Sequence, residues 1–74
     1  MIVPNEAIIK ALKESYPIGA RVELVEMNDI QAPPKGTRGT VICVDVIGTI
    51  HVKWDNGSGL GVAYGEDYCR VIKE

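Results

Sequence analysis

The apolar residues of this chain repeat at two different spacings, and the change between them falls at Pro17-Ile18-Gly19. Before it, Ile8, Leu12 and Tyr16 recur at every fourth position with Ile9 beside them, while Glu6, Lys10, Lys13 and Glu14 fall mostly on the other side. That is the stripe of an amphipathic helix over residues 5–16. Asn5 is placed to cap it, Val3 and Ile9 to form a hydrophobic staple around the cap, and Pro17 and Gly19 to stop it. A helix this short is marginal in water, so its stripe must dock on its own chain or on a neighbour.

From Arg21 onward the period is two, that of a strand with one buried face. Residues 21–27 read as a strand with Val22 and Leu24 inward. Residues 28–36 read as a long loop, because Pro33 and Pro34 remove backbone donors. Residues 41–46 form a nearly continuous apolar run, which suits a central strand buried on much of both faces. Gly48 marks a turn. Residues 49–55 then alternate, with Ile50, Val52 and Trp54 on one face and His51, Lys53 and Asp55 on the other. Asn56-Gly57 is the dipeptide of a type I′ hairpin, in which both central residues take positive φ. It leads into residues 59–64, where Leu60, Val62 and Tyr64 share a face. Gly65-Glu66-Asp67 turns the chain again, and residues 69–72 make a last short strand. The expected fold class is mainly β, with one N-terminal α-helix and five short strands closed into a small barrel over about residues 20–73. Closure would remove the edges that an open sheet exposes.

Seventy-four residues are enough for one domain, residues 1–74, and too few for two cores. The net charge is −2, with acids and bases interspersed, which offers no electrostatic case for nucleic acid or an anionic membrane. No apolar run approaches the roughly 20 residues of a membrane span. Residues 1–6 lack the basic start and small-residue cleavage site of a signal peptide, so the expected location is the cytoplasm. In that compartment Cys43 and Cys69, both among aliphatic residues, are expected to be buried free thiols.

The motifs Gly36-Thr37-Arg38-Gly39-Thr40-Val41 and Trp54-Asp55-Asn56-Gly57-Ser58, in this order along residues 21–72, resemble those of SH3-like small barrels. More narrowly, residues 16–24, Gln31-Ala32-Pro33-Pro34-Lys35-Gly36-Thr37 and Ile50-His51-Val52-Lys53-Trp54-Asp55-Asn56-Gly57-Ser58 look like a family of short proteins of unknown function from Gram-positive bacteria, their phages and mobile elements. The resemblance implies an SH3-like fold and carries no established activity.

Catalysis finds little support. His51 is the only histidine, so acid–base chemistry would have to use it. Asp55 lies on the same strand face, but at about 13 Å by strand rise, beyond hydrogen-bond reach. No Ser- or Cys-centred nucleophile motif is present, and Gly57-Ser58-Gly59 belongs to the hairpin. Asp55, Glu66 and Asp67 lack the spacing of a calcium loop, and two cysteines with one histidine do not form a zinc site by spacing. The glycines follow strand and turn needs rather than a phosphate loop. No catalytic residue, metal or cofactor is therefore expected.

Binding remains. Small barrels recognise partners between the long first loop and the hairpin turns, a face that would here comprise Asp29, Gln31, Pro33, Pro34, Trp54, Tyr64 and Tyr68. Aromatics with a polar handle favour interfaces. Trp54 also shares the inward face of its strand with Ile50 and Val52, which favours core filling over contact; Tyr68 is the better candidate for an exposed aromatic. The expected function is a small non-catalytic module for a protein partner, such as a phage or mobile-element accessory or inhibitor protein. A self-assembling homo-oligomer is the second class. A weak nucleic-acid or nucleotide binder is the third, because residues 36–41 are also similar to ribosome- and transcription-associated small barrels. Lys35, Arg38, Lys53 and Arg70 would form its patch.

Overall fold

The computed structural model describes residues 4–73, so Val3, and with it the expected staple to Ile9, lies outside the described residues. Helix α1 spans Glu6–Ser15. Asn5 caps it as expected, its Oδ1 accepting the Ile8 N–H at 2.9 Å, and Glu6 and Lys13 complement the helix dipole at the two ends. The Tyr16 N–H closes the last turn on the Leu12 carbonyl at 2.8 Å, and Pro17 follows. No residue of α1 is fully buried. The stripe nevertheless docks on its own sheet: Leu12 and Tyr16 pack against the core, and the Tyr16 hydroxyl donates to the Cys69 carbonyl at 3.2 Å.

Five strands follow: β1 Arg21–Glu26, β2 Arg38–Val44, β3 Thr49–Trp54, β4 Val62–Ala63 and β5 Tyr68–Val71. They form one antiparallel sheet in the order β4-β3-β2-β1-β5. The mainly β class with one leading helix is thus as expected. Closure is not: the ladder ends on β4 and β5, which touch without pairing to each other. The fourth strand is the reason. Six residues were expected to pair, but only Val62 and Ala63 do, opposite Ile50 and Thr49.

The core is Val22, Leu24, Val41, Val44, Ile50, Val52, Trp54, Val62 and Cys69. Each large aliphatic side chain buried there contributes about 1.5–3 kcal/mol. The inward face of β3 is the one its alternation predicts.

Strand β2 departs from expectation. Its register slips between Val41, opposite Val52, and Cys43, opposite His51, so Ile42 is the extra residue of a β-bulge. Both Ile42 and Cys43 are exposed, and Val44 turns inward again. The apolar run is therefore buried on one face only. Cys69 is buried but Cys43 is not, which corrects the expectation of two buried thiols.

The β3 turn also differs. Gly57 has φ 92°, and among the described residues no non-glycine has positive φ, so Asn56 cannot occupy a type I′ position. The Gly57 N–H bonds the Trp54 carbonyl, and the Trp54 N–H bonds the Ser58 carbonyl, both at 3.0 Å. Asp55-Asn56-Gly57 is accordingly a three-residue loop, a right-handed turn followed by a left-handed glycine. The Asn56 side chain accepts the Ser58 N–H at 3.0 Å, satisfying the backbone beyond the turn.

Candidate functional site

The face expected to bind a partner divides in the structure. Trp54 is only 1% exposed, and its indole N–H donates to the Leu60 carbonyl at 2.7 Å. It is a core residue and not a contact surface. The cause is Gly39, which stands opposite Trp54 in the β2–β3 register and leaves the indole room to lie over β2. Pro33 is buried as well. Asp29, Gln31 and Pro34 are exposed, and Asp29 Oδ1 accepts the Gln31 N–H at 2.7 Å, a local turn within the long loop. None of these three reaches the tyrosines' site.

Tyr64 and Tyr68 do come together. They stand at a cleft of about 380 Å³ between α1 and the β4–β5 end of the sheet. Leu12 and Tyr16 supply the helix wall, Ile50, Val62 and Cys69 the floor, and Gly65 and Asp67 complete the mouth. Tyr68 is 52% and Tyr64 36% exposed.

The mouth is held by Asp67. Its Oδ1 accepts the Asn28 N–H and its Oδ2 the Ala63 N–H, each at 3.1 Å, which ties the β4–β5 turn to the end of β1. The Ala63 carbonyl in turn accepts the Glu66 and Asp67 N–H groups at 3.1 and 2.9 Å. The floor carries no charge at neutral pH. Burial pushes the Cys69 thiol up to about 11, so it stays protonated and is a poor nucleophile. Burial likewise raises the Tyr16 hydroxyl, helped by its neighbour Cys69. The arrangement has the shape and apolar lining to take in an apolar side chain. Of the residues expected at a binding face, Tyr64 and Tyr68 line this cleft, which also takes in Leu12, Tyr16 and Asp67, none of them expected there. The helical stripe was the available signal for Leu12 and Tyr16.

The family model described as Domain of unknown function (DUF4314) matches residues 5–72. The chain belongs to the DUF4314 family. Neither a curated protein nor a solved structure matches it.

Elsewhere on the DUF4314 domain, His51 has a partner the sequence did not suggest. Its Nε2 lies 2.8 Å from Asp45 Oδ2, while Asp45 Oδ1 accepts the Ile47 and Thr49 N–H groups at 3.1 and 2.9 Å. Partial desolvation pushes the Asp45 carboxyl upward, but the hydrogen bonds from His51, Thr49 and Ile47 outweigh it and hold the carboxyl low. This pair braces the β2–β3 turn. Asp55 is engaged instead by Arg21, at 2.9 and 2.6 Å, whose guanidinium lowers the Asp55 carboxyl. Among the described residues, no three His, Cys, Asp or Glu side chains are grouped to hold a metal ion.

The residues considered for nucleic acid lie mostly on the outward face of the sheet, among carboxylates. Arg70 Nε donates to Glu23 at 2.7 Å, and Glu23 stands opposite both Arg38 and Arg70 in the register. Lys53 is exposed on β3, and Lys35 is exposed in the long loop, off the strands. Among the described residues no helix is long and apolar enough to cross a membrane.

Proposed function

We propose that this DUF4314 domain is a small, non-catalytic interaction module of the cytoplasm that docks a protein partner in the cleft between α1 and the β4–β5 end. One observation carries the reading: an apolar cleft is rimmed by two partly exposed tyrosines. Such aromatics combine apolar area with a polar handle and dominate protein interfaces. The strand order supports an SH3-like ancestry. The resemblance to short proteins of Gram-positive bacteria, phages and mobile elements supports an accessory or inhibitor role.

Site-specific photo-crosslinking in host cells tests it. A benzophenone amino acid at Tyr68 should yield a discrete protein adduct, and the same probe at Lys53, on the outward face, should not. Adducts arising from Lys53 alone would reject the cleft.

A homo-oligomer is a second reading, favoured by the unpaired outer edge of β5, where Tyr68 and Val71 are both exposed. Light scattering at rising concentration distinguishes it: a constant monomer mass removes it. The alternation of Glu23 and Asp55 with the basic side chains weakens the nucleic-acid reading.

A further inference from the structure

The helix separates two electrically different sides of the domain. On its β2 side, Lys10 and Lys13, together with the single acid Glu6, border shallow hollows against Val46, Ile18 and Cys43. On its β4–β5 side, among the described residues, no lysine, arginine or histidine lines the cleft, and the charged residue that does is Asp67. Glu66 precedes Asp67 in the same turn and is exposed. Glu26, also exposed, stands opposite Tyr68 where β1 meets β5. The basic residue next to Cys69, Arg70, is held by Glu23. Each Asp67 oxygen accepts one backbone N–H and, as a carboxylate oxygen, keeps further acceptor capacity.

We propose that the segment which docks in this cleft is a basic–apolar peptide. It inserts a large aliphatic or aromatic side chain between Tyr64, Tyr68 and Leu12, and flanking Lys or Arg residues meet Glu26, Glu66 and Asp67. This rests on the cleft being the docking site. Charge complementarity selects the partner: an acidic segment would bring like charges together at the mouth, whereas a basic one lowers the field there. The apolar contact supplies affinity, and the carboxylates supply sign selectivity and salt dependence.

The test uses the isotope-labelled full chain and three blocked hexapeptides, Lys-Lys-Leu-Trp-Lys-Lys, its Glu-for-Lys counterpart and its Gln-for-Lys counterpart, followed by amide chemical shifts. The lysine peptide should move the resonances of Tyr64, Gly65, Glu66 and Tyr68. It should bind about fivefold more tightly than the glutamine peptide at low salt, the scale of one or two exposed ion pairs. The advantage should vanish near 0.5 M salt, where the screening length is only about 4 Å, and reverse toward the glutamate peptide in a Glu26→Lys, Glu66→Lys variant. If the glutamine or glutamate peptide binds the same residues equally well or better, the basic-peptide inference fails while the cleft stands as a docking site. If shifts fall outside the cleft, or no peptide binds, both readings fail.

Discussion

Gly39→Ala adds one methyl group to the centre of the sheet, and the structure leaves no space for it. A Cβ at Gly39 would lie 2.6 Å from Val52 Cγ1, 2.8 Å from the Lys53 carbonyl oxygen and 2.9 Å from Trp54 Cε3. The first and third are buried side chains, and the second is backbone in the ladder that joins Thr40 to Lys53. None is the free end of a flexible chain, so β2 and β3 must move apart. Overpacking of a close-packed core costs about 1–3 kcal/mol. Replacing glycine also restricts the unfolded chain, which returns about 0.4–1 kcal/mol. The net expectation is a loss of about 1–2 kcal/mol, or roughly 4–16 °C in Tm for a domain of this size. Gly57→Ala is the internal comparison: it has nothing within 4 Å but a φ of 92°, so its cost of about 1 kcal/mol comes from backbone strain alone. Urea unfolding and thermal circular dichroism measure both. Gly57→Asn should recover part of the second loss, because asparagine tolerates the left-handed region, whereas no residue larger than glycine should rescue position 39. A Gly39→Ala protein as stable as the parent would refute the close approach of β2 to the indole.

Trp54→Ala should cost about 3–5 kcal/mol, a large part of the roughly 4–11 kcal/mol expected of a domain this size; in the parent, acrylamide should barely quench the fluorescence of this single tryptophan, and free quenching would contradict its burial. The folded-state pKa of Asp45 is depressed, so its pairing stabilises the fold above the ordinary carboxylate value of 3.8 and is lost as pH falls through the lower folded value. Asp45→Asn should therefore flatten the acid limb of a stability–pH profile, and an unchanged limb would count against the brace. Native protein should present one rapidly reacting thiol to Ellman's reagent, Cys43, and a second only on unfolding, since Cys69 is buried with its pKa raised to about 11; two fast thiols would contradict the burial of Cys69, and no fast thiol would contradict the β2 bulge that turns Cys43 outward.

Local features of this fold were readable from local sequence. Asn5 and Pro17 bound the helix because a capping side chain and a missing backbone donor act within one turn. Ile50, Val52 and Trp54 share the inward face because strand geometry alone alternates side chains. What failed depended on pairing between strands, which the residues of one segment do not specify. Ile42 and Cys43 are apolar enough to be buried, yet the slip in register against β3 turns both outward, and no property of residues 41–46 encodes that slip. Asn56-Gly57 suits more than one turn, and the pairing of Trp54 with Ser58 selects the three-residue loop.

The candidate site shows the same division. Composition and period established a helix and a β sheet, and pointed to Tyr64 and Tyr68 as candidate contact residues. Only the tertiary structure decided for Trp54 between core and contact surface, withdrew Pro33 into the interior, paired His51 with Asp45, and set the helix stripe beside the β4–β5 turn to leave a cleft. The physical reason is that spacing along a chain specifies which way a side chain leaves its own element, whereas a cleft is the space between elements, set by how the helix and the sheet's far end come to rest against a common core.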